Sequence, residues 1–196
     1  MIIKDWKKEM LTIPNLLSFI RLIMIPVYMV IYLKASRPGD YWLAGIILTL
    51  SCLTDMVDGK IARKFNMITT FGKFLDPLAD KLTQFSLLLC LAIRYPVLWA
   101  VFSLFVLKEL FQLFAGIVAA NRGYILKGAL ISGKICTTVL FISLVAMVIF
   151  PGLTHSAVRV IAIVDGVFLL LAFADYIFTY LCRSNRFQSI DDAPQC

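Results

Sequence analysis

Four aspartates with a fixed spacing stand at the ends of two apolar stretches of the sequence. Asp55 and Asp58 are three residues apart and Asp76 and Asp80 are four apart, so within helices each pair shares one face. Acids near a membrane are costly, at about 2.5 kcal/mol or more each at the bilayer centre when uncompensated. Hard divalent cations prefer oxygen ligands and would cancel the repulsion among the carboxylates. The spacing therefore predicts a site for Mg2+ or Mn2+, and two such ions would balance the four acids.

The residues around these acids favour a phosphorylated ligand. Gly59 follows Asp58 and removes a side chain where a ligand would approach the helix closely. Arg63 offers a planar guanidinium that binds phosphate, and Gly72 opens the second helix. Phosphoryl chemistry needs positioning, charge neutralisation and a base for the attacking hydroxyl. Either acid pair alone is more often a solvated loop or a helix cap, but that interpretation does not explain the whole frame.

The composition indicates a membrane protein of one domain, residues 1–196. Of its residues 61% are hydrophobic and 16% are charged, which exceeds the apolar fraction of soluble domains. Six apolar segments approach the ~20 residues needed to cross a bilayer. The expected fold is therefore all-α and polytopic, with six transmembrane helices separated by polar or Pro/Gly-rich breaks. The predicted spans are 14–34, 40–62, 73–94, 97–120, 129–150 and 156–181.

The Lys and Arg residues predict the orientation. Eleven lie at one set of span ends and three at the other, which places both termini and the aspartate frame in the cytoplasm. The net charge of +7 is then explained by orientation and anionic lipid headgroups rather than by nucleic acid. Residues 2–11 predict either a short interfacial helix or a plain basic flank. No small-residue cleavage site follows the first apolar run, so we expect an uncleaved anchor.

The remaining polar and sulfur-containing residues suggest little further chemistry. The five cysteines form no Cys-x-x-Cys pair and are expected to be buried small hydrophobes. The single histidine, His155, makes a histidine-based metal site or triad improbable. Basic residues within or at the edges of the spans are expected to face a polar interior; they are Arg21, Lys81, Lys108, Lys134 and Arg159. Asp165 is expected to pair with Arg159 or another basic group, and Asp175 to support the site.

The aspartate frame resembles the motif of the CDP-alcohol phosphatidyltransferase family at every fixed position. It reads Asp55-x2-Asp58-Gly59-x2-Ala62-Arg63-x8-Gly72-x3-Asp76-x3-Asp80. Further stretches are similar to the phosphatidylglycerophosphate synthase and cardiolipin synthase branch of that family. These are residues 12–15 with Arg21, and residues 71–81.

The resemblance implies a homodimeric membrane enzyme with six helices. Such an enzyme transfers a phosphatidyl group from CDP-diacylglycerol to an alcohol and releases CMP. The resemblance assigns the metal ions to Asp55, Asp58, Asp76 and Asp80, and makes Asp80 also the general base for the acceptor hydroxyl. It assigns the CDP moiety to Asp58, Gly59, Ala62, Arg63 and Gly72.

The acceptor alcohol is less closely defined by the resemblance. Phosphatidylglycerophosphate synthases usually show an Arg-Glu pair in the fourth span, an Arg seven residues later and a Gly-Lys-x-Lys-Thr stretch. The corresponding residues here are Lys108-Glu109, Gly116 and 133–137, so two basic positions are absent. Glycerol 3-phosphate is the first expectation, with its phosphate bound by Lys108, Arg122 and Lys134. Phosphatidylglycerol, the acceptor of a cardiolipin synthase, is the alternative, because a site with fewer cations binds a second phosphate less well. Simple pairing of Lys108 and Glu109 with neighbouring residues is the alternative to their roles in the acceptor site.

Two other classes of function were weighed against the transferase. A small cation transporter or channel would use the aspartates as an ion path, but they cluster at one end and no inverted repeat is present. A non-catalytic scaffold would leave the fixed spacing unexplained.

Overall fold

The computed structural model describes residues 13–37, 39–51, 70–126, 130–181 and 187–189. Only the backbone is described for residues 13–17, 70–76, 124–126 and 187–189. The helices are α1 (Ile13–Lys34), α2 (39–51), α3 (Thr70–Arg94), α4 (Leu98–Asn121), α5 (Ile131–Ile149) and α6 (His155–Leu181). The strands are β1 (Tyr124–Leu126) and β2 (Phe187–Ser189).

The described helices coincide closely with the predicted apolar segments. Five of the six predicted segments end within three residues of α1, α3, α4, α5 and α6, and α2 covers the described part of 40–62. The predicted interfacial helix, 2–11, lies outside the described residues. The described part also contains an antiparallel ribbon of β1 and β2, with Ile125 opposite Gln188. The all-α class is confirmed by the helices, and the short ribbon was not predicted because strands of three residues leave almost no periodic pattern in a sequence.

Three of the described helices, α4, α5 and α6, are long and apolar enough to cross a membrane, judged by length and composition. Many of their large apolar side chains are exposed, above all in α4 and α6, as expected where lipid rather than water surrounds a helix. Two prolines interrupt the other helices, Pro26 in α1 and Pro77 in α3. Proline has no N–H to donate to the carbonyl four residues earlier. Pro77 therefore cannot donate the helical hydrogen bond to the carbonyl of residue 73, in the turn that contains Asp76.

The chain divides into two compact units, of which the first comprises Met1–Arg94 and Leu144–Gly152. Within it α1 packs along α3, and the core of the described residues is apolar apart from a few hydroxyl groups, the amide of Gln84 and Arg21. One end of this unit is held by Arg94. Its guanidinium lies 4.0 Å from the ring centroid of Tyr41 and donates a 3.3 Å hydrogen bond to the carbonyl of Pro151.

The second unit comprises Tyr95–Ser143 and Leu153–Cys196. Here α4 packs against α6 and against β1. Phe111 of α4 meets the ring of Phe173 edge-on at 5.3 Å and the ring of Tyr180 at 6.4 Å. Edge-to-face aromatic pairs of this kind are worth about 0.5–1.5 kcal/mol beyond the area they bury. The aromatic contacts therefore fix the register of α4 against α6. The prediction of one domain for residues 1–196 stays a prediction.

Local hydrogen bonds explain where the helices begin and end. The Oγ1 atom of Thr154 accepts from the N–H of Ala157 at 3.3 Å and caps α6. Gly123 follows α4 with φ of +79°, a conformation that glycine adopts without strain. Between α1 and α2 the Asp40 carboxylate accepts from the N–H groups of Ser36 and Arg37, both at 3.0 Å. These caps replace the missing intrahelical partners of the terminal N–H and C=O groups.

Replacing Arg94 with glutamine should destabilise the first unit, because it removes both the stacking on Tyr41 and the bond to Pro151. The two contacts together are worth about 1–2 kcal/mol. We expect the apparent Tm in detergent to fall by about 2–6 °C. Arg37→Gln is the matched control, since the Arg37 side chain is exposed. An equal Tm for the two variants would contradict the stabilising role of Arg94.

Candidate active site

The second acid pair lies on one continuous helix. Residues 76 and 80 are both within α3, so the predicted i, i+4 placement is confirmed for the backbone. Asp80 is exposed, and its carboxylate is open to a ligand. The side chain of Asp76 lies outside the description. The convergence of the two acid pairs stays a prediction, because the first pair and most of the frame lie outside the described residues. These are Asp55, Asp58, Gly59, Ala62 and Arg63; of Gly72 only the backbone is described.

Asp80 is held by a buried arginine from another helix. The Nη1 atom of Arg21, in α1, donates to Oδ1 of Asp80 at 2.8 Å. The Arg21 side chain is 3% exposed and that of Asp80 is 57% exposed. The packing of α1 along α3 brings these two residues together. A cation thus lies inside the unit and the acid that compensates it lies at the surface.

Sequence reasoning placed Arg21 against a polar interior but did not identify its partner. The available signal was an arginine within an apolar segment, which requires an acid or a ring of carbonyls nearby. Choosing Asp80 from the acids of the chain needs the packing of α1 on α3, which periodicity alone does not supply.

Lys108 is one of the most completely buried side chains among the described residues, at 1% exposure. Its Nζ donates to Oε1 of Glu109 at 2.6 Å and lies 5.6 Å from the ring centroid of Tyr176. The charge of Lys108 is thereby compensated within its own helix and by an aromatic face. This geometry favours the interpretation of Lys108 and Glu109 as a pair over a direct role for Lys108 in binding a phosphate.

The other two predicted acceptor residues are exposed. Arg122 is the C-cap residue of α4, and its N–H donates to the carbonyls of Ala119 and Val118. A cation at the C-terminal end of a helix interacts favourably with the helix dipole. Lys134 lies in the first turn of α5. Both side chains are accessible to an anionic ligand.

The first turn of α5, which includes Lys134, is docked tightly on α6. The Oγ of Ser132 donates to Oδ2 of Asp175 at 2.5 Å. A Cβ added to Gly133 would lie 2.6 Å from the hydroxyl oxygen of Tyr176, so only glycine permits this approach. The bond from Ser132 to Asp175 therefore fixes the helical turn on which Lys134 stands, and the role of Asp175 in supporting a site stays a prediction.

Asp165 has a different partner from the one expected. It is 1% exposed, and the Oγ of Ser143 donates to its Oδ2 at 2.6 Å. Arg159, the predicted partner, is exposed. The hydroxyl reaches the acid from a neighbouring helix and bonds one of its two oxygens; the buried Oδ1 atom has no hydrogen-bond partner among the described residues. The two buried cysteines, Cys90 and Cys136, are free thiols, as expected.

The donor set fits a hard divalent cation as far as it is described. Asp80 presents carboxylate oxygens at the surface, and oxygen is the ligand type that Mg2+ and Mn2+ prefer. In the part of the chain that the structure describes, no three candidate ligands of a metal ion come together. This result follows from the frame itself, since three of its four acid side chains lie outside that part.

The model of the CDP-alcohol phosphatidyltransferase family matches residues 11–176 of the chain. The chain belongs to this family. A cardiolipin synthase (CMP-forming) of Streptomyces coelicolor is 37% identical over 120 residues, 59% of this chain and 55% of that protein. A CDP-diacylglycerol–glycerol-3-phosphate 3-phosphatidyltransferase of Bacillus subtilis is 40% identical over 84 residues, 37% of this chain and 44% of that protein. The chain thus spans about half the length of these two relatives.

A third relative matches over a longer region. A probable phosphatidylglycerophosphate synthase of Mycobacterium tuberculosis is 31% identical over 169 residues, 83% of this chain and 78% of that protein. The three relatives carry names from both sides of the branch that the sequence resembles. Their names therefore leave the choice of acceptor between glycerol 3-phosphate and phosphatidylglycerol open.

Gly133→Ala should destabilise the docking of α5 on α6, because its new methyl group would overlap the Tyr176 hydroxyl. Overpacking of this kind costs about 1–3 kcal/mol, measured as a lower apparent Tm. Tyr176→Phe removes the overlapping oxygen, and the double variant should recover part of the loss in a double-mutant cycle.

Gly166→Ala serves as the control for this experiment. Gly166 lies in α6 and a Cβ there would meet nothing within 4 Å. Alanine is the better helix former, so Tm should be unchanged or higher. Purely additive effects of Gly133→Ala and Tyr176→Phe would contradict the contact.

Proposed function

We propose that the chain transfers the phosphatidyl group of CDP-diacylglycerol to an alcohol, with glycerol 3-phosphate as acceptor and CMP as leaving product. The observation that carries the proposal is the match of the family model across residues 11–176, which includes the whole aspartate frame. The structure adds support, since the last acid of that frame is exposed and is held by a buried guanidinium.

The reaction exchanges one phosphoester bond for another. The acceptor oxygen forms a bond to the phosphorus that carries the diacylglycerol, and the bond from that phosphorus to the oxygen of CMP breaks. Asp80 takes the proton of the acceptor hydroxyl, and Arg21 holds the carboxylate that receives it. Gly59, Ala62, Arg63 and Gly72 bind the CDP moiety together with Asp58.

The metal ions belong to the same proposal. Asp55, Asp58, Asp76 and Asp80 would hold one or two Mg2+ or Mn2+ ions. When bound, these ions supply neutralisation of the diphosphate charge. The carboxylates of the chain would set the positions of the ions.

A cardiolipin synthase that uses phosphatidylglycerol is the second candidate. Two observations favour it: Lys108 is neutralised by Glu109 at 2.6 Å, and a cardiolipin synthase is among the relatives. Glycerol 3-phosphate stays first because Arg122 and Lys134 are both exposed. The B. subtilis relative is also named for transfer to glycerol 3-phosphate.

The membrane arrangement is proposed with the function. Six helices cross the membrane, residues 2–11 lie on its surface, and both termini and the aspartate frame face the cytoplasm. The support is the three apolar helices together with the excess of Lys and Arg on one side. Two copies of the chain form the working enzyme, as the family resemblance implies.

Asp80→Asn should abolish CMP release from CDP-diacylglycerol in the presence of Mg2+ and glycerol 3-phosphate, because an amide cannot take the proton. The loss should be about 100-fold or more. It is measured with purified protein whose apparent Tm is recorded in parallel, since Arg21 loses its counter-charge. Asp40→Asn is the matched control, because Asp40 only caps the turn before α2. Full turnover by Asp80→Asn would remove Asp80 as the base.

Lys134→Ala should raise the KM for glycerol 3-phosphate by about three- to tenfold, since one charged contact to the phosphate is lost. Turnover with phosphatidylglycerol is measured on the same protein. Lys34→Ala, a substitution of another exposed lysine, should leave both unchanged. Wild-type turnover with phosphatidylglycerol alone would reject the first acceptor in favour of the second.

A further inference from the structure

Arg21 is a buried cation whose described partner is an exposed acid of the site. Its residue exposure is 2%, and its Nη1 lies 2.8 Å from Oδ1 of Asp80. We propose that Arg21 is a positioning residue that fixes the Asp80 carboxylate for proton transfer and, by its charge, weakens the binding of the divalent cation. The proposal rests on the proposed function, since it assigns Asp80 to the reaction.

The asymmetry of burial makes Arg21 the fixed member of the pair. An exposed aspartate side chain samples several rotamers, and holding one of them costs conformational entropy. The Arg21 side chain is 3% exposed and bonded to Asp80, so the direction of its N–H groups is restricted by the packing around it. A planar guanidinium orients a carboxylate more strictly than an ammonium group does. The position of Asp80 is therefore set from inside the unit rather than by solvent.

One hydrogen bond to Arg21 does not exhaust the carboxylate. An ionised carboxylate has about four lone-pair positions on its two oxygens. Accepting from Nη1 uses one position at Oδ1, and the 57% exposure of the Asp80 side chain keeps the carboxylate accessible to a cation or to a hydroxyl proton. Arg21 can therefore orient Asp80 while the acid works.

The charge of Arg21 acts in the opposite direction on the metal ion. A positive group beside a ligating carboxylate repels a second cation and offsets part of the negative charge that attracts it. Arg21 thus lowers the affinity of the chain for the metal ion while it holds the carboxylate of Asp80 in one position. Removing Arg21 should tighten metal binding and slow the reaction, whereas loss of a merely structural residue should weaken both.

The test uses full-length protein in detergent with the substitutions Arg21→Gln and Arg21→Lys. The Kd for Mn2+ is measured from the EPR signal of free Mn2+, without substrate. Arg21→Gln should lower that Kd by about threefold or more, and lower kcat by about tenfold or more with the KM for CDP-diacylglycerol within about twofold. Arg21→Lys, which keeps the charge, should return the Kd to the wild-type value and restore part of kcat.

Several outcomes would overturn the proposal. They are a Kd for Mn2+ that is unchanged or higher in Arg21→Gln, an unchanged kcat in that variant, and no rescue of the Kd by Arg21→Lys. If Arg21→Gln fails to fold, the double variant Arg21→Gln with Asp80→Asn, which removes both charges, should fold. The positioning role is then tested by comparing Arg21→Lys with the wild-type protein, and a kcat of Arg21→Lys equal to the wild-type value overturns it.

The result also separates this proposal from the proposed function. If the wild-type protein releases no CMP but Arg21→Gln shows the predicted shift in Mn2+ affinity, the reaction is rejected and the electrostatic role of Arg21 is kept. If the wild-type protein turns over but Arg21→Gln shows no shift, the reaction is kept and the electrostatic role is rejected. Arg159→Gln is the matched control, because Arg159 is an exposed arginine of α6 outside the proposed machinery, and it should leave both readouts unchanged.

Discussion

A charge within apolar helices must find a partner inside the fold, and this constraint accounts for much of the described polar structure. An uncompensated charge at the bilayer centre costs about 2.5–3.5 kcal/mol on the mildest scale. Three residues that are at most 2% exposed illustrate the solutions: Arg21, Lys108 and Asp165. Arg21 is compensated by an acid of another helix and Lys108 by the next residue of its own helix, whereas Asp165 accepts from a hydroxyl group at one of its two oxygens only.

These three solutions have different consequences for function. A pair within one helix, such as Lys108 with Glu109, is complete without the rest of the fold and is neutral toward a ligand. A hydroxyl partner, as for Asp165, ties α5 to α6 without a counter-charge. The pair of Arg21 with Asp80 differs because its acid stays 57% exposed. That acid belongs at once to the packing of α1 on α3 and to the surface where a ligand arrives, so stability and chemistry are coupled there.

The helices were predictable from the sequence because apolar runs and their Pro, Gly and charged breaks are local features. The ends of α4 and α6 were predicted to within one residue. The partners were not predictable, because they join distant parts of the chain. Arg21 and Asp80 are 59 residues apart, and Ser132 and Asp175 are 43 apart. Such pairs depend on which helices pack together, and the apolar pattern of a membrane helix says little about that.

The exception to this limit was the aspartate frame, which could be identified without packing. Its spacing places each acid pair on one helical face, and the placement of Asp76 and Asp80 on α3 agrees with it. The acids that a metal ion requires can thus be recognised from local spacings of i, i+3 and i, i+4. The residues that support these acids depend on contacts between helices. The role of Asp80 was therefore accessible to sequence reasoning, and that of Arg21 was not.

The choice of acceptor depends on a small number of charges. A phosphate monoester such as glycerol 3-phosphate carries about two negative charges near neutral pH, since its second pKa is about 6, whereas the phosphodiester of phosphatidylglycerol carries one. Lys108 cannot contribute a net charge while Glu109 accepts its hydrogen bond. The two exposed cations that remain as candidates, Arg122 and Lys134, match a dianion in number. The close packing of Gly133 against Tyr176 holds the helical turn of Lys134 in one position, as a specific phosphate contact requires. Under the proposed function, discrimination between the acceptors depends on that turn of α5, because one fixed ammonium group favours the more highly charged phosphate.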